Sequence, residues 1–374
     1  MAKVSDILGI INKIAPPDLA ETWDNAGLQL GDPSAEVHRM MVALDATPAV
    51  IQSAIDSSCQ LLITHHPLIF KAQKSISTAT PQGRLIHAAI RNGLSVISMH
   101  TNYDIATAGL NDVLAAHLGL TSCVPLQITA EQELAKLVVF VPKDHLDALR
   151  TVLFPFAAIL GAYRDCSFTA PGEGTFTPQE GAVPYIGNVG GHEQVAEQRL
   201  ELLIDRVNLP RAIKALLDAH PYEEPAFDIY RLLNNGNKLG LGRIGKLERP
   251  LSLADFAAQV ERDLCVSGLR YVGNPDAVVS RVALCSGSGA SLIQCAARAG
   301  ADVLVTGDVK YHDARNAEDL GLTLIDAGHF STEIIMVTAV QQQMQQKLSD
   351  AGFKECAVTT CKIETDPFKI PVRN

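Results

Sequence analysis

Apolar residues in the first 125 positions fall into two rhythms. Apolar-rich runs at 39–44, 60–63 and 94–99 predict buried strands. Between them, helical periodicity predicts helices over 48–57 and 83–92. The C-terminal part repeats this plan. It predicts strands at 280–284, 302–305, 322–325 and 357–362, and helices over 290–299, from about 312, and over 331–348. Strands alternating with helices imply a mostly parallel sheet and an α/β fold.

The two parts can be laid over each other. Met41-Val42-Ala43-Leu44 matches Arg281-Val282-Ala283-Leu284, and Leu62-Ile63-Thr64-His65-His66 matches Leu304-Val305-Thr306-Gly307-Asp308. His100 and Asp104 match His329 and Glu333. This reads as a degenerate duplication that brings two half-sites face to face.

Residues 130–233 have another rhythm. Strands at 135–141, 199–204 and 226–232, helices over 143–153 and from Pro210, and a Gly/Pro/Thr-rich stretch at 170–191 give the order β-α-β-β-α-β. That is the order of a ferredoxin-like α+β unit. The division expected is therefore 1–125, an inserted 126–237, and 238–374, with polar turns near 121–131 and 234–237 as joints.

Composition narrows the function. The chain has 374 residues, 47% of them apolar, so there is ample material for a core. The formal charge of -10 argues against a broad nucleic-acid face. Residues 1–14 lack a signal-peptide apolar stretch, and no apolar run approaches the roughly 20 residues that span a bilayer. A soluble cytoplasmic protein that is not a membrane protein is expected. None of the eight cysteines forms a C-x-x-C pair, so reduced thiols are expected rather than a zinc site.

Candidate chemistry clusters just after the apolar runs. His65 and His66 follow the second strand, His100 and Asp104 the third, and His329 and Glu333 a strand of the C-terminal part. Ligands of open α/β sheets bind beyond the carboxyl ends of the strands, so one pocket can collect His65, His66, Asp104, His329 and Glu333. Imidazole and carboxylate without thiolate suit two divalent ions of Zn, Fe, Mn, Co or Ni. Glu333 or Asp104 would bridge, with the histidines divided between the ions. His329 and Glu333 share a helix face through their spacing, although a plain helix opening, or an N-cap for Asp104, is the competing reading. His100, Asp308, Lys310 and His312 are candidates for supporting the ligands or moving protons, or are ordinary surface and cap residues. Cys285-Ser286-Gly287-Ser288-Gly289 follows a strand and is either an anion-holding or a plain tight turn. Trp23-Asp24-Asn25 would line the pocket or brace the first helix.

Together, Trp23-Asp24-Asn25, Thr64-His65-His66-Pro67-Leu68, His100-Thr101-Asn102-Tyr103-Asp104, Gly307-Asp308 and Gly328-His329-Phe330-Ser331-Thr332-Glu333 resemble the Nif-three-like dinuclear metal-centre family, also named the GTP cyclohydrolase 1 type 2 homologues. The insertion resembles the PII/CutA-like domain of the longer bacterial members, through Gly172-Glu173-Gly174-Thr175-Phe176 and Pro221-Tyr222-Glu223-Glu224-Pro225. The resemblance implies a toroidal homohexamer, built as a trimer of dimers, with paired metals ligated by His65, His66, Asp104, His329 and Glu333. The leading expectation is a metal-dependent hydrolase. It would act on a small nucleotide-like or heterocyclic substrate through metal-bound hydroxide, with His100 or His312 as the catalytic proton carrier. The alternative is a non-catalytic metal-binding regulatory assembly whose insertion senses a metabolite.

Overall fold

A computed structural model describes residues 1–159, 163–234, 236–266 and 268–369. The chain divides into two compact units, one of Met1–Ala130 with Leu239–Asn374, the other of Glu131–Lys238. No helix among the described residues is long and apolar enough to cross a membrane.

The larger unit is built on two main sheets. In the five-stranded one, Ala357–Thr360, Arg39–Ala43, Leu61–Thr64 and Ser95–Ser98 run parallel, and Gly27–Leu30 closes the edge antiparallel. The strands are apolar on both faces because helices cover both. Met40, Val42 and Ile63 pack with helices Val4–Ile14 and Ile335–Asp350. Met41, Ala43 and Leu62, pointing the other way, pack with Pro48–Asp56 and Pro81–Arg91. Thr47 and Thr80 start those last two helices by accepting N–H bonds from Val50 and Gly83, with proline in the first turn.

The six-stranded sheet repeats the arrangement. Val278–Ser288, Val303–Gly307 and Thr323–Asp326 are parallel, with Arg270–Val272 and Lys238–Ser252 antiparallel beside them and Thr121–Glu131 at the edge. Val282, Val305 and Ile325 meet Leu253–Asp263 on one face; Ala283, Leu304 and Leu324 meet Ile293–Arg298 and Tyr311–Asp319 on the other.

Three local expectations need correction. Residues 121–131 form a strand, not a polar turn; Val124, Leu126 and Ile128 carry the period of two that the polar neighbours mask. Asp104 is not an N-cap: it lies inside the short helix Thr101–Ile105, whose cap position is His100. The last long helix is broken after Glu333 into His329–Glu333 and Ile335–Asp350.

In the smaller unit, Leu134–Pro142, Leu146–Leu153, Ser167–Phe176, Glu193–Asp205, Leu209–Ala219 and Phe227–Arg231 give β-α-β-β-α-β. The antiparallel sheet has its fourth strand beside the first, then the third, then the second. Leu200, Leu202 and Ile204 face the two helices. Glu197, Arg199 and Glu201 alternate to the helix-free face.

Candidate metal centre

The carboxyl ends of the strands in the larger unit converge. After Leu61–Thr64 the backbone N–H groups of His65 and His66 both donate to the Leu44 carbonyl at 3.1 Å. The Thr64 hydroxyl donates to the His66 carbonyl at 2.8 Å. This turn breaks the strand alternation, so adjacent imidazoles serve one site. Their ring centroids are 5.1 Å apart.

Glu333 is the centre of the cluster. Its Oε2 lies 3.0 Å from His329 Nε2 and 3.1 Å from His66 Nε2. Its Oε1 lies 3.6 Å from His65 Nε2, which is 3.8 Å from Asp104 Oδ1. His329 Nε2 and His66 Nε2 are 3.4 Å apart. The five residues expected as ligands are thus brought together. His100, assigned from sequence to proton transfer, joins His65 and His66 in a group whose donor atoms all lie within 4.8 Å of one another.

Every imidazole is fixed through its other nitrogen. Nδ1 of His65 contacts the Met99 carbonyl at 2.8 Å, and Nδ1 of His66 contacts Asp45 Oδ1 at 2.8 Å. Nδ1 of His329 contacts Asp308 Oδ2 at 2.7 Å, and Nδ1 of His100 contacts Asp24 Oδ1 at 2.7 Å. An Nδ1–H donated outwards leaves the Nε2 lone pair directed inwards, the arrangement metal-ligating histidines adopt.

Asp45 was missed in the sequence, although it stands just beyond Arg39–Ala43 and the strand-end rule would have found it. Glu364 holds its backbone N–H at 2.9 Å. Ser286 lies at the end of strand Val278–Ser288, which runs through residues expected to form a tight turn, and donates its hydroxyl to Asp104 Oδ1 at 3.2 Å. Lys310 and His312 do not join the cluster. Lys310 occupies the cap of Tyr311–Asp319, and exposed His312 packs edge-on against Tyr311 at 5.3 Å.

Electrostatics follow from burial and mutual charge. Burial opposes protonation of His65, but Glu333 and Asp104 outweigh it and raise its pKa. Burial likewise opposes a charged His66, yet Asp45 and Glu333 raise it to about 10. Glu333, then Asp308, raise His329 to about 9 against burial. Burial alone would raise Glu333, but His65, His329 and His66 hold it well below the usual carboxylate range. Asp104 is raised by burial and by Glu333. Burial also pushes up the Cys285 thiol, helped by Asp104 and Glu333, so no thiolate joins the donors.

The donors fit divalent metal. His65 Nε2 and Glu333 Oε2 are buried and lack a hydrogen-bond partner. Leaving such atoms unmatched costs about 1–3 kcal/mol each, and a cation would satisfy both. The mixed nitrogen and oxygen set suits Zn, Fe, Mn, Co or Ni.

The family profile described as Duf34/NIF3 (NGG1p interacting factor 3) matches residues 2–367. The GTP cyclohydrolase 1 type 2 homolog of Halalkalibacterium halodurans is 38% identical over 369 residues, 98% of this chain and 99% of that one. The Bacillus subtilis protein of the same name is 39% identical over 363 residues, 97% of each. The crystal structure of a Bacillus cereus protein related to NIF3 superposes with a TM-score of 0.89 at 39% identity, covering 99% of both chains. A Staphylococcus aureus protein of known structure follows at 0.73 and 31%, again covering 99% of both. With a profile match over nearly its whole length and the α/β fold in common, the chain belongs to the Duf34/NIF3 family.

Proposed function

We propose that the chain is a dinuclear metal-dependent hydrolase. The carrying observation is the position of Glu333, whose two oxygens face different histidines, Oε1 towards His65 and Oε2 towards His66 and His329. In this reading His65 and Asp104 would hold one ion and His66 and His329 the other, with Glu333 as a ligand available to both. Bound divalent ions would supply an acidified water and a polarised substrate oxygen.

The chain's own residues supply the rest. Met99, Asp45 and Asp308 fix the rings, so little reorganisation accompanies loading. Asp24 accepts from His100 Nδ1, and this leaves His100 Nε2 to carry a proton to or from the substrate. Trp23 and Phe70, 57% and 50% exposed, stand with ring centroids 5.9 and 6.3 Å from that of His100. Exposed aromatic faces beside the donors favour a planar heterocycle, which supports the nucleotide-like substrate class.

A homohexamer built as a trimer of dimers is part of this proposal, and light scattering of the purified chain is its test. The activity is tested by elemental analysis followed by a panel of GTP, phosphodiesters and cyclic amides. Turnover of at least one member, lost in folded Glu333→Ala, is expected. Turnover that survives this substitution assigns the activity elsewhere, and a metal-loaded protein inert to the panel removes the hydrolase reading.

A further inference from the structure

The smaller unit has a cavity of its own, about 950 Å³, lined wholly by residues between Phe140 and Ala226. That is ample for a small organic molecule, since such sites run from about 300 to 1,000 Å³. The Tyr222 ring centroid lies 6.1 Å from those of both Phe176 and Tyr185, at interplanar angles of 56° and 42°. All three residues line the cavity, and the Tyr222 ring is tilted against each of the other two. His220 anchors one of them: its Nε2 contacts the Phe140 carbonyl at 2.9 Å, and its Nδ1 accepts the Tyr222 backbone N–H at 3.1 Å.

The polar lining is one-sided. Glu173, Glu180, Glu197, Glu223 and Glu224 face a single cation, Arg199. That cation is already engaged, bonded to Glu201 at 2.8 Å and lying 5.8 Å from the Phe140 ring centroid. Glu197 is only 8% exposed, and among the described residues no Lys, Arg or His nitrogen comes within 4.0 Å of its carboxylate. A buried carboxylate without a counter-charge is a destabilising feature that a bound cation would relieve. The fold makes room for it all the same, because a Cβ at Gly174 would collide with a Glu197 oxygen. Beside it lies the buried Tyr222 hydroxyl, whose pKa is pushed up by burial and by the Glu197 carboxylate.

Anions are disfavoured by this charge. A metal ion is disfavoured too: among the described residues, groups of three converging donors occur at the histidine cluster and none at this cavity. Aromatic faces around an unpaired carboxylate are what a charged nitrogen seeks, through cation–π attraction and a direct ion pair. We propose that this cavity binds a small organic ammonium ion, with its positive head against Glu197 and the faces of Tyr222, Phe176 and Tyr185. This inference stands independently of the metal centre.

The test is calorimetric titration of the full-length chain with choline, with a short unbranched diamine, and with the uncharged carbon isostere of choline. At least one cation should bind, and the isostere should bind about tenfold more weakly or worse. Glu197→Gln should weaken the cation about tenfold, the scale of a charge-assisted contact, yet melt no lower than the parent. Tyr222→Phe should retain binding to within about threefold, as the ring persists. Independently of any variant, proton resonances of the bound cation should move upfield under the ring currents. Failure of both cations to bind, equal binding of the isostere, undiminished binding in folded Glu197→Gln, or bound cation resonances that do not move would each overturn the proposal.

Discussion

A side chain at Gly287 would occupy the space of the Glu333 carboxylate: a Cβ built there collides with Glu333 Oε1 and lies 3.2 Å from His329 Nε2. Gly287 also has φ of 58°, a left-handed conformation that disfavours other residues. The irregular, glycine-containing end of strand Val278–Ser288 therefore sets the room around the central carboxylate. Gly287→Ala is expected to weaken metal binding about 10- to 100-fold, the range seen when support around ligands is disturbed. Backbone strain should lower stability by about 1–3 kcal/mol. Metal titration and thermal melting read the two effects separately. Parental metal affinity would mean that the carboxylate can relocate.

Glu333→Gln keeps the volume and removes the charge. If the carboxylate spans both ions, both should be lost together, and the ratio of metal to protein should collapse rather than halve. Elemental analysis of protein purified alongside the parent checks this. Retention of one full ion would transfer the bridging role to Asp104.

Metal uptake must displace protons. In the metal-free protein Asp45 and Glu333 raise His66 to about 10, and Glu333 and Asp308 raise His329 to about 9. Both folded values exceed the unfolded value near 6.5, so these rings stabilise the metal-free fold fully below about pH 6.5, and that stabilisation is lost as pH rises through about 9–10. Metal competes for deprotonated nitrogens, so its apparent affinity should rise over the same window, with proton release. Titrations in buffers of different ionisation enthalpy measure the protons, and melting curves measure the stability. Uptake without proton release would contradict the sign.

Much of the fold was legible because the buried strands of the two main sheets are apolar-rich runs flanked by helical periodicity. The rule that ligands sit beyond strand ends collected His65, His66, Asp104, His329 and Glu333 from positions far apart in the sequence. Thr121–Glu131 was not legible, since exposed polar side chains dilute its alternation and its partner Lys238–Ser252 is more than a hundred residues away. The bond from Asp45 to His66 is likewise set by strand register, which residue identity does not encode. His312 follows a strand in the sequence as the ligands do, but the helix that it opens leaves it exposed.

Asp24 holds His100 Nδ1 at 2.7 Å and accepts the Thr101 hydroxyl and the Asn25 N–H, and His100 with those bonds lowers its pKa to about 2 against the effect of burial. Asp24→Asn retains an acceptor but loses the charge. With His100 as proton carrier, kcat should fall about 100-fold or more while metal content stays at the parental level. Loss of metal in step with activity would instead make His100 a ligand.

The segment that follows Asp104 is held by a buried cation. Arg243, 3% exposed, donates through Nε and Nη2 to the Asp112 carboxylate at 2.5 and 3.0 Å. It also donates to the carbonyls of Gly240, Gly242 and Ala106 at 2.8, 2.9 and 3.0 Å. Next to Asp112, Asn111 donates to the Asp104 carbonyl at 3.0 Å and accepts the Ser286 N–H at 2.9 Å. The guanidinium thus ties the segment after Asp104 to the sheet that contains strand Val278–Ser288. Asp112→Ala leaves a buried cation without its counter-charge and should lower unfolding free energy by about 3–5 kcal/mol. Replacing both residues, Arg243→Met with Asp112→Leu, removes the stranded charge and should recover part of that loss. Urea unfolding of the three proteins measures the coupling. Equal losses in the single and double variants would show that the carbonyl contacts, rather than the ion pair, hold this segment in place.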